Sequence, residues 1–371
     1  MRSRVIGAIG GAAAVLALLF PVPLAGQAAK TTQKPAIRRM PDGHPDLQGT
    51  YDLATMTPLE RLPGAPPFLT KENAAALEKA ELARRAKDDL PDRADRPAPP
   101  VGGDTSAAKS FFEALEKAGG GAVGGYNRFW LDQGKVFTVI DGQVRTSIVV
   151  DPANGHVPPY NAAARKRLAA GRTTPTSDTR ESQDPTAEPP GAFDNPEQRP
   201  LGERCLLGFG STSGPPALPD YFYNDLHQIV QTPESIMILS EMVHDARIVR
   251  MNAQHLPSTI RRWMGDSVGH WEGDTLVVDT TNFNDKTRFR NSTENLHVVE
   301  RFTRLDDKTL LYRFTVEDPQ TWDKPWTGEY TWPATDKPIY EYACHEGNYA
   351  LADVLRGARK QETEAAAKAG K

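Results

Sequence analysis

From residue 124 onward apolar residues recur at every second position in short runs, and each run ends in residues that reverse a chain. A period of two sends alternate side chains to opposite faces of an extended strand, so this part of the chain is restricted to sheets with one buried face. Lys135 to Ile140 and Gln143 to Val150 flank Asp141-Gly142, a pair that supplies the positive φ angles of a tight hairpin. Leu226 to Gln231 and Ile236 to Met251 flank Thr232-Pro233-Glu234-Ser235, and Thr275 to Phe283 follows Glu272-Gly273-Asp274. Asn295 to Leu305 and Thr309 to Glu317 flank Asp306-Asp307-Lys308, with two more strands expected at Trp326 to Trp332 and Ile339 to His345. Short strands joined by turn chemistry, with few crossover helices, predict a mainly β fold. The expected form is an antiparallel meander closed as a lipocalin-like β-barrel, with short N-terminal helices and a C-terminal helix.

The other segments are arranged around this β-rich domain, expected over residues 124–357. Arg2 and Arg4 precede an apolar run from Val5 to Leu19, followed by Pro21, Pro23 and small residues around Ala25 to Ala29. That is the pattern of an export signal covering 1–29; a membrane span needs about 20 apolar residues with anchoring flanks. Residues 30–123 are expected as an extended arm and helices. Pro41-Asp42-Gly43-His44-Pro45-Asp46 forbids helix and reads as an arm or a first strand. Thr70 caps a helix rich in Ala and Leu, and Ser106 to Lys117 forms a second one ahead of Gly119-Gly120-Gly121. Residues 161–200 contain hardly a large apolar side chain, which predicts a short helix and then an exposed loop. Residues 358–371 are expected as a solvated helical tail.

Export sets the chemistry available. Outside the cytoplasm, in the periplasm or beyond the cell, an even cysteine count is most simply a disulfide, here Cys205 with Cys344. A formal charge of −4 with both signs interspersed leaves no basic stripe for nucleic acid. With the signal removed, nothing predicts a membrane span, and the expected partner is a small molecule. No P-loop, dinucleotide fingerprint or G-x-S-x-G elbow is present, and the eight histidines show no compact ligand spacing. Neither a cofactor nor a metal is therefore expected.

Ionisable residues inside strands carry the functional signal, because burying one costs several kcal/mol or more unless it is paired or binds a ligand. In the 297–317 hairpin one register gathers His297, Val299, Arg301 and Thr303 on the apolar face, and the alternative register places Glu300 there instead. Glu241, Asp245 and Arg247 share one side of an unbroken strand and His244 takes the other. These residues suit anion binding or proton movement, and equally a surface salt-bridge ladder. Asn282, just past a strand, lies where barrel-mouth loops bind ligands. Tyr342-Ala343-Cys344-His345-Glu346 is the densest group: a disulfide would hold His345 as general base with Glu346 orienting it. The expected catalytic set is thus His345, Glu346, His297 and Arg301. Glu241, His244, Arg247, Asn282, Tyr342 and Trp130 are expected to bind substrate.

Gly125-Tyr126-Asn127-Arg128-Phe129-Trp130-Leu131-Asp132, His244 to Val249, Gly269 to Phe283 and Tyr342 to Tyr349 together resemble a family of uncharacterised exported bacterial proteins. Pro41 to Gly49 is similar to the mature N-terminal arm of that family. The likeness covers most of residues 40–357 and implies export and a shared scaffold; it transfers no catalytic residue. The functional expectation is an exported soluble enzyme doing cofactor-free acid–base chemistry, as a hydrolase, lyase or isomerase, on a small organic or carbohydrate-derived substrate. The competing expectation is a non-catalytic barrel that holds a small ligand.

Overall fold

Ten strands form one curled sheet in the order β1-β6-β7-β8-β9-β10-β11-β12-β13-β5. The computed structural model describes residues 37–88, 134–170, 193–209, 214–219, 223–287 and 289–370. The strands are β1 (Gly49–Asp52), β5 (Val149–Asp151), β6 (Leu226–Gln231), β7 (Ser235–Ser240), β8 (Ala246–Met251), β9 (Asp266–Glu272), β10 (Thr275–Thr281), β11 (His297–Asp306), β12 (Thr309–Glu317) and β13 (Trp326–Pro333). A small second sheet holds β2 (Phe68–Leu69), β3 (Val139–Ile140) and β4 (Gln143–Arg145) in the order β2-β4-β3. Its hairpin turns at Asp141 (φ 52°) and Gly142 (φ 75°), as the Asp-Gly pair requires. The large sheet bends far enough that Tyr51 of β1 bridges Ala334, just past β13. The fold is therefore mainly β and barrel-like.

One pair departs from the antiparallel rule. β8 and β9 run parallel, with Val249 opposite Ser267, so residues 252–265 must cross back between them. The expected strand from Ile236 to Met251 is also interrupted: it divides into β7 and β8 around a turn at residues 241–245. No strand forms at 339–345, which is irregular chain leading to the C-terminal helix α3 (Tyr349–Ala369). The two other described helices are α1 (Lys71–Asp88), begun by the Thr70 hydroxyl accepting the Asn73 N–H, and α2 (Ala162–Ala169), capped by Asn161. The expected arm enters the same sheet, since β1 pairs with β6. The export signal, the expected second helix and Trp130 lie outside the described residues.

The interior is filled by side chains. Tyr51, Phe302, Tyr312, Phe314, Trp322, Trp326, Tyr330 and Trp332 are all buried in one cluster with aliphatic residues of the large sheet. Trp332 lies 4.6 Å from the Tyr312 ring and 5.5 Å from Phe302, so these aromatics pack against each other. Gly328 is part of this fit: a Cβ there would sit 2.4 Å from the Phe314 ring. Residues 214–219 add to the filling, because the Ala217 N–H donates to the Tyr312 hydroxyl (2.9 Å) and the Tyr330 hydroxyl donates to the Ala217 carbonyl (3.1 Å). Arg304 reaches across the same interior to the Asp46 carbonyl (2.8 Å) and the Tyr51 hydroxyl (3.0 Å), which seats the arm against the barrel.

Candidate active site

The register of β11 and β12 decides which charge is buried. Val298 faces Val316, Glu300 faces Phe314 and Phe302 faces Tyr312. Of the two registers open to the sequence, this is the one that puts Glu300 inside and turns His297 and Arg301 outward. Arg247 answers from β8: its Nη2 donates to Glu300 Oε1 (2.9 Å), its Nη1 to Glu300 Oε2, and the Tyr312 hydroxyl donates to Oε1 (2.8 Å). Burial holds the Tyr312 hydroxyl well above its ordinary value, so it remains a donor. Arg247, Glu300 and Tyr312 thus bond to one another across the interior. Together they close a buried charge, and a pair of this kind fixes register more than it adds stability.

Two residues before Arg247, the chain builds a different environment. Ser240 N–H donates to the Asp245 carbonyl (2.8 Å) and Glu241 N–H to the Leu226 carbonyl (2.9 Å), which closes the turn. Within it Val243 (φ 60°) and His244 (φ 45°) are both left-handed, a state that costs a non-Gly residue on the order of 1–3 kcal/mol. Packing holds it there. Met242 and Val243 are buried with Tyr223, and Phe209 and Tyr342 pack against them. The Tyr342 ring stacks on Tyr223 at 6.4 Å.

Two carboxyl groups flank this apolar floor, and both are shifted upward. Burial raises Glu241, only partly offset by hydrogen bonds that include the Tyr340 N–H at 2.8 Å. Burial alone pushes Asp245 up to about 7, and its Oδ2 is enclosed without a hydrogen-bond partner among the described residues. A carboxyl in that range gives and takes a proton near neutral pH. The disulfide Cys205–Cys344 bridges 139 residues and joins the segment carrying Tyr342 to the one carrying Phe209. Asn348 reinforces this junction by donating to the Glu203 carbonyl (2.7 Å) while capping α3.

Of the expected site, Glu241 and the exposed His244 lie in this turn and Tyr342 packs against its Met242 and Val243, whereas Arg247 is taken up by Glu300 in the interior. His345 and Glu346 are exposed beside Cys344, and no hydrogen bond or ion pair joins them, so a base with an orienting carboxylate is not assembled there. His297 and Arg301 lie on the outer face, away from the turn. His297 Nε2 is 3.0 Å from Asp279 and Arg301 Nη2 donates to Glu272 (2.6 Å). Asn282 acts structurally, since its Nδ2 donates to the Leu256 carbonyl (2.9 Å) and so fastens the 252–265 crossover. No family model, curated protein or solved structure matches the chain.

Asp245 is the raised carboxyl that the sequence pattern underrates. Its signal was present as a charge inside an apparently continuous apolar run. What the sequence lacked was the break in that run, which moves Asp245 from a strand face into a turn. Among the described residues no group of three or more His, Cys, Asp or Glu side chains is arranged to hold a metal ion.

Proposed function

We propose that this protein is an exported enzyme whose acid–base group is Asp245, acting without a cofactor on a small organic or carbohydrate-derived substrate. The single observation carrying this reading is the Asp245 carboxyl, pushed up to about 7 by burial and left with one oxygen unpartnered. A carboxyl whose proton affinity is raised by burial is a candidate proton-transfer group. Glu241, raised in the same way, is the second proton-carrying group of the pair. Asp245, with the more strongly raised proton affinity, is assigned the acid–base role and Glu241 the second carboxyl of the same turn. Tyr342 supplies an aromatic surface, and His345 and Glu346 stand exposed past the disulfide to meet a substrate arriving from solvent.

The aromatic cluster buried inside the sheet supports placing the chemistry at the 241–245 turn over ligand storage within the barrel. The disulfide is compatible with an exported site of action. Screening of small esters, lactones, glycosides and sugar acids at pH 5–9 is expected to reveal turnover. Asp245→Asn is expected to lower its rate by roughly 100-fold to 10,000-fold while the chain remains folded. Full activity in the folded variant would reject Asp245 as the proton carrier.

A further inference from the structure

β7 ends in a serine whose hydroxyl is enclosed and idle. Ser240 is 1% exposed, and its Oγ has no hydrogen-bond partner among the described residues. A buried hydroxyl in that state is destabilising, so alanine would serve the packing at this position better than serine does.

The ladder shows what faces it. Ser240 N–H donates to the Asp245 carbonyl (2.8 Å), one step beyond the pair Leu239 and Ala246, so Ser240 and Asp245 stand opposite each other. Residues opposite in an antiparallel pair share a face, with Cβ atoms about 4.5–5.5 Å apart. Here it is the inner face. Along β8, Ala246 and Ile248 are exposed while Arg247 and Val249 are buried; Asp245 is already extended (φ −68°, ψ 121°), so alternation sends its side chain inward beside Ser240. Two enclosed oxygens, Ser240 Oγ and Asp245 Oδ2, therefore lie across one rung of the ladder, and neither has a partner among the described residues.

The other polar groups around this rung are engaged elsewhere. Arg247 is held by Glu300, Glu241 accepts the Tyr340 N–H, and His244 is exposed on the turn. His227, opposite Ser240 on β6, packs its ring 5.5 Å from Trp332. Burial alone raises the Asp245 carboxyl, and none of these charges contributes. An ionised carboxylate accepts hydrogen bonds and cannot donate, whereas a serine hydroxyl carries one proton that rotates to suit its neighbour. Ser240 is thus the donor within reach of Asp245 when the acid is ionised.

We propose that Ser240 is a positioning residue for Asp245: its hydroxyl turns to donate to the carboxylate each time Asp245 gives up its proton, and turns away when the proton returns. The inference rests on the acid–base role proposed for Asp245. It supplies the enclosed carboxylate with a hydrogen bond that the static arrangement lacks, which brings the two protonation states closer in free energy, as a group that both takes and gives a proton requires.

Carbon-13 spectra of the side-chain carboxyls of the full chain from pH 4 to pH 10 test it, with Asp245→Asn identifying the Asp245 resonance. Ser240→Ala is expected to raise the midpoint of that resonance by about one to two pH units, because a hydrogen bond to an ionised acceptor is lost. Ser240→Thr keeps the hydroxyl and is expected to keep the wild-type midpoint. An unchanged midpoint in Ser240→Ala overturns the proposal, and so does an equal rise in both variants, since packing would then be the cause. A crystal structure of the wild type above its midpoint decides the matter without a variant: Oγ is expected about 2.5–3.0 Å from a carboxylate oxygen, and an Oγ still turned away from both refutes the pairing. Full activity in Asp245→Asn would remove the proposed chemistry while leaving these readouts intact, so the two failures are told apart.

Discussion

Replacing Asp245 by Asn removes a buried titrating group while keeping its shape, and its effect on stability follows from one shift. The carboxyl moves from an ordinary 3.8 to about 7 on folding. Between those values the native state binds a proton that the unfolded chain has released, so stability falls as pH rises and levels off above the folded value. At about 1.4 kcal/mol per unit the full cost of the ionised form is about 4 kcal/mol, an upper figure because the turn can relax. Roughly 2–3 kcal/mol of this lies between pH 5 and pH 8. His297 is also raised and also loses its contribution with rising pH, but it does so in both proteins and cancels in the difference. Urea unfolding at pH 5, 6, 7, 8 and 9 should therefore show Asp245→Asn gaining on the wild type up to pH 8 and running parallel above it. Curves that are parallel across the whole range would refute the claim that Asp245 titrates near 7 in the folded chain, and with it the basis of the proposed chemistry.

Arg247→Met alone should destabilise the chain by about 3–5 kcal/mol, because Glu300 is left buried without its partner, whereas Arg247→Met with Glu300→Leu should recover most of the loss in the same urea assay. Cys205→Ser with Cys344→Ser should lower stability by up to about 5 kcal/mol from chain entropy over the 139-residue separation, read as a lower urea midpoint. The same pair of substitutions should expose the Tyr342 segment to proteolysis, since it loses its covalent tie to the Phe209 segment.

Local chemistry was legible where it was decided locally. Asp141-Gly142 specified its hairpin, Thr70 specified the start of α1, and Asp306-Asp307-Lys308 placed the turn between β11 and β12. The register of that hairpin was only narrowed to two choices, because both bury an ionisable residue. It was settled by Arg247, a partner 53 positions from Glu300. The break at 241–245 was hidden for a related reason: alternation continues through the turn, and only Tyr223, Phe209 and Tyr342 packing on Met242 and Val243 shows that the chain has left the sheet. Residues 339–345 alternate like a strand yet find no neighbouring edge, and the Tyr340 N–H goes to Glu241 instead.

The strain and the raised carboxyl at the rim have one origin. A shorter turn between β7 and β8 would leave both strands regular, and Asp245 would then face water at an ordinary value. The chain instead uses five residues, turns Val243 and His244 left-handed, and drives Met242 and Val243 inward against Tyr223. Glu241 and Asp245 flank Met242 and Val243 in this turn, and burial raises both carboxyls. Releasing the turn is expected to rehydrate both carboxyls and return them toward their ordinary values. The disulfide and the Asn348 contact hold Tyr342 over the same floor from the far end of the chain. Local strain in this turn is thus kept by long-range packing, the kind of outlier that motivates the function proposed for it.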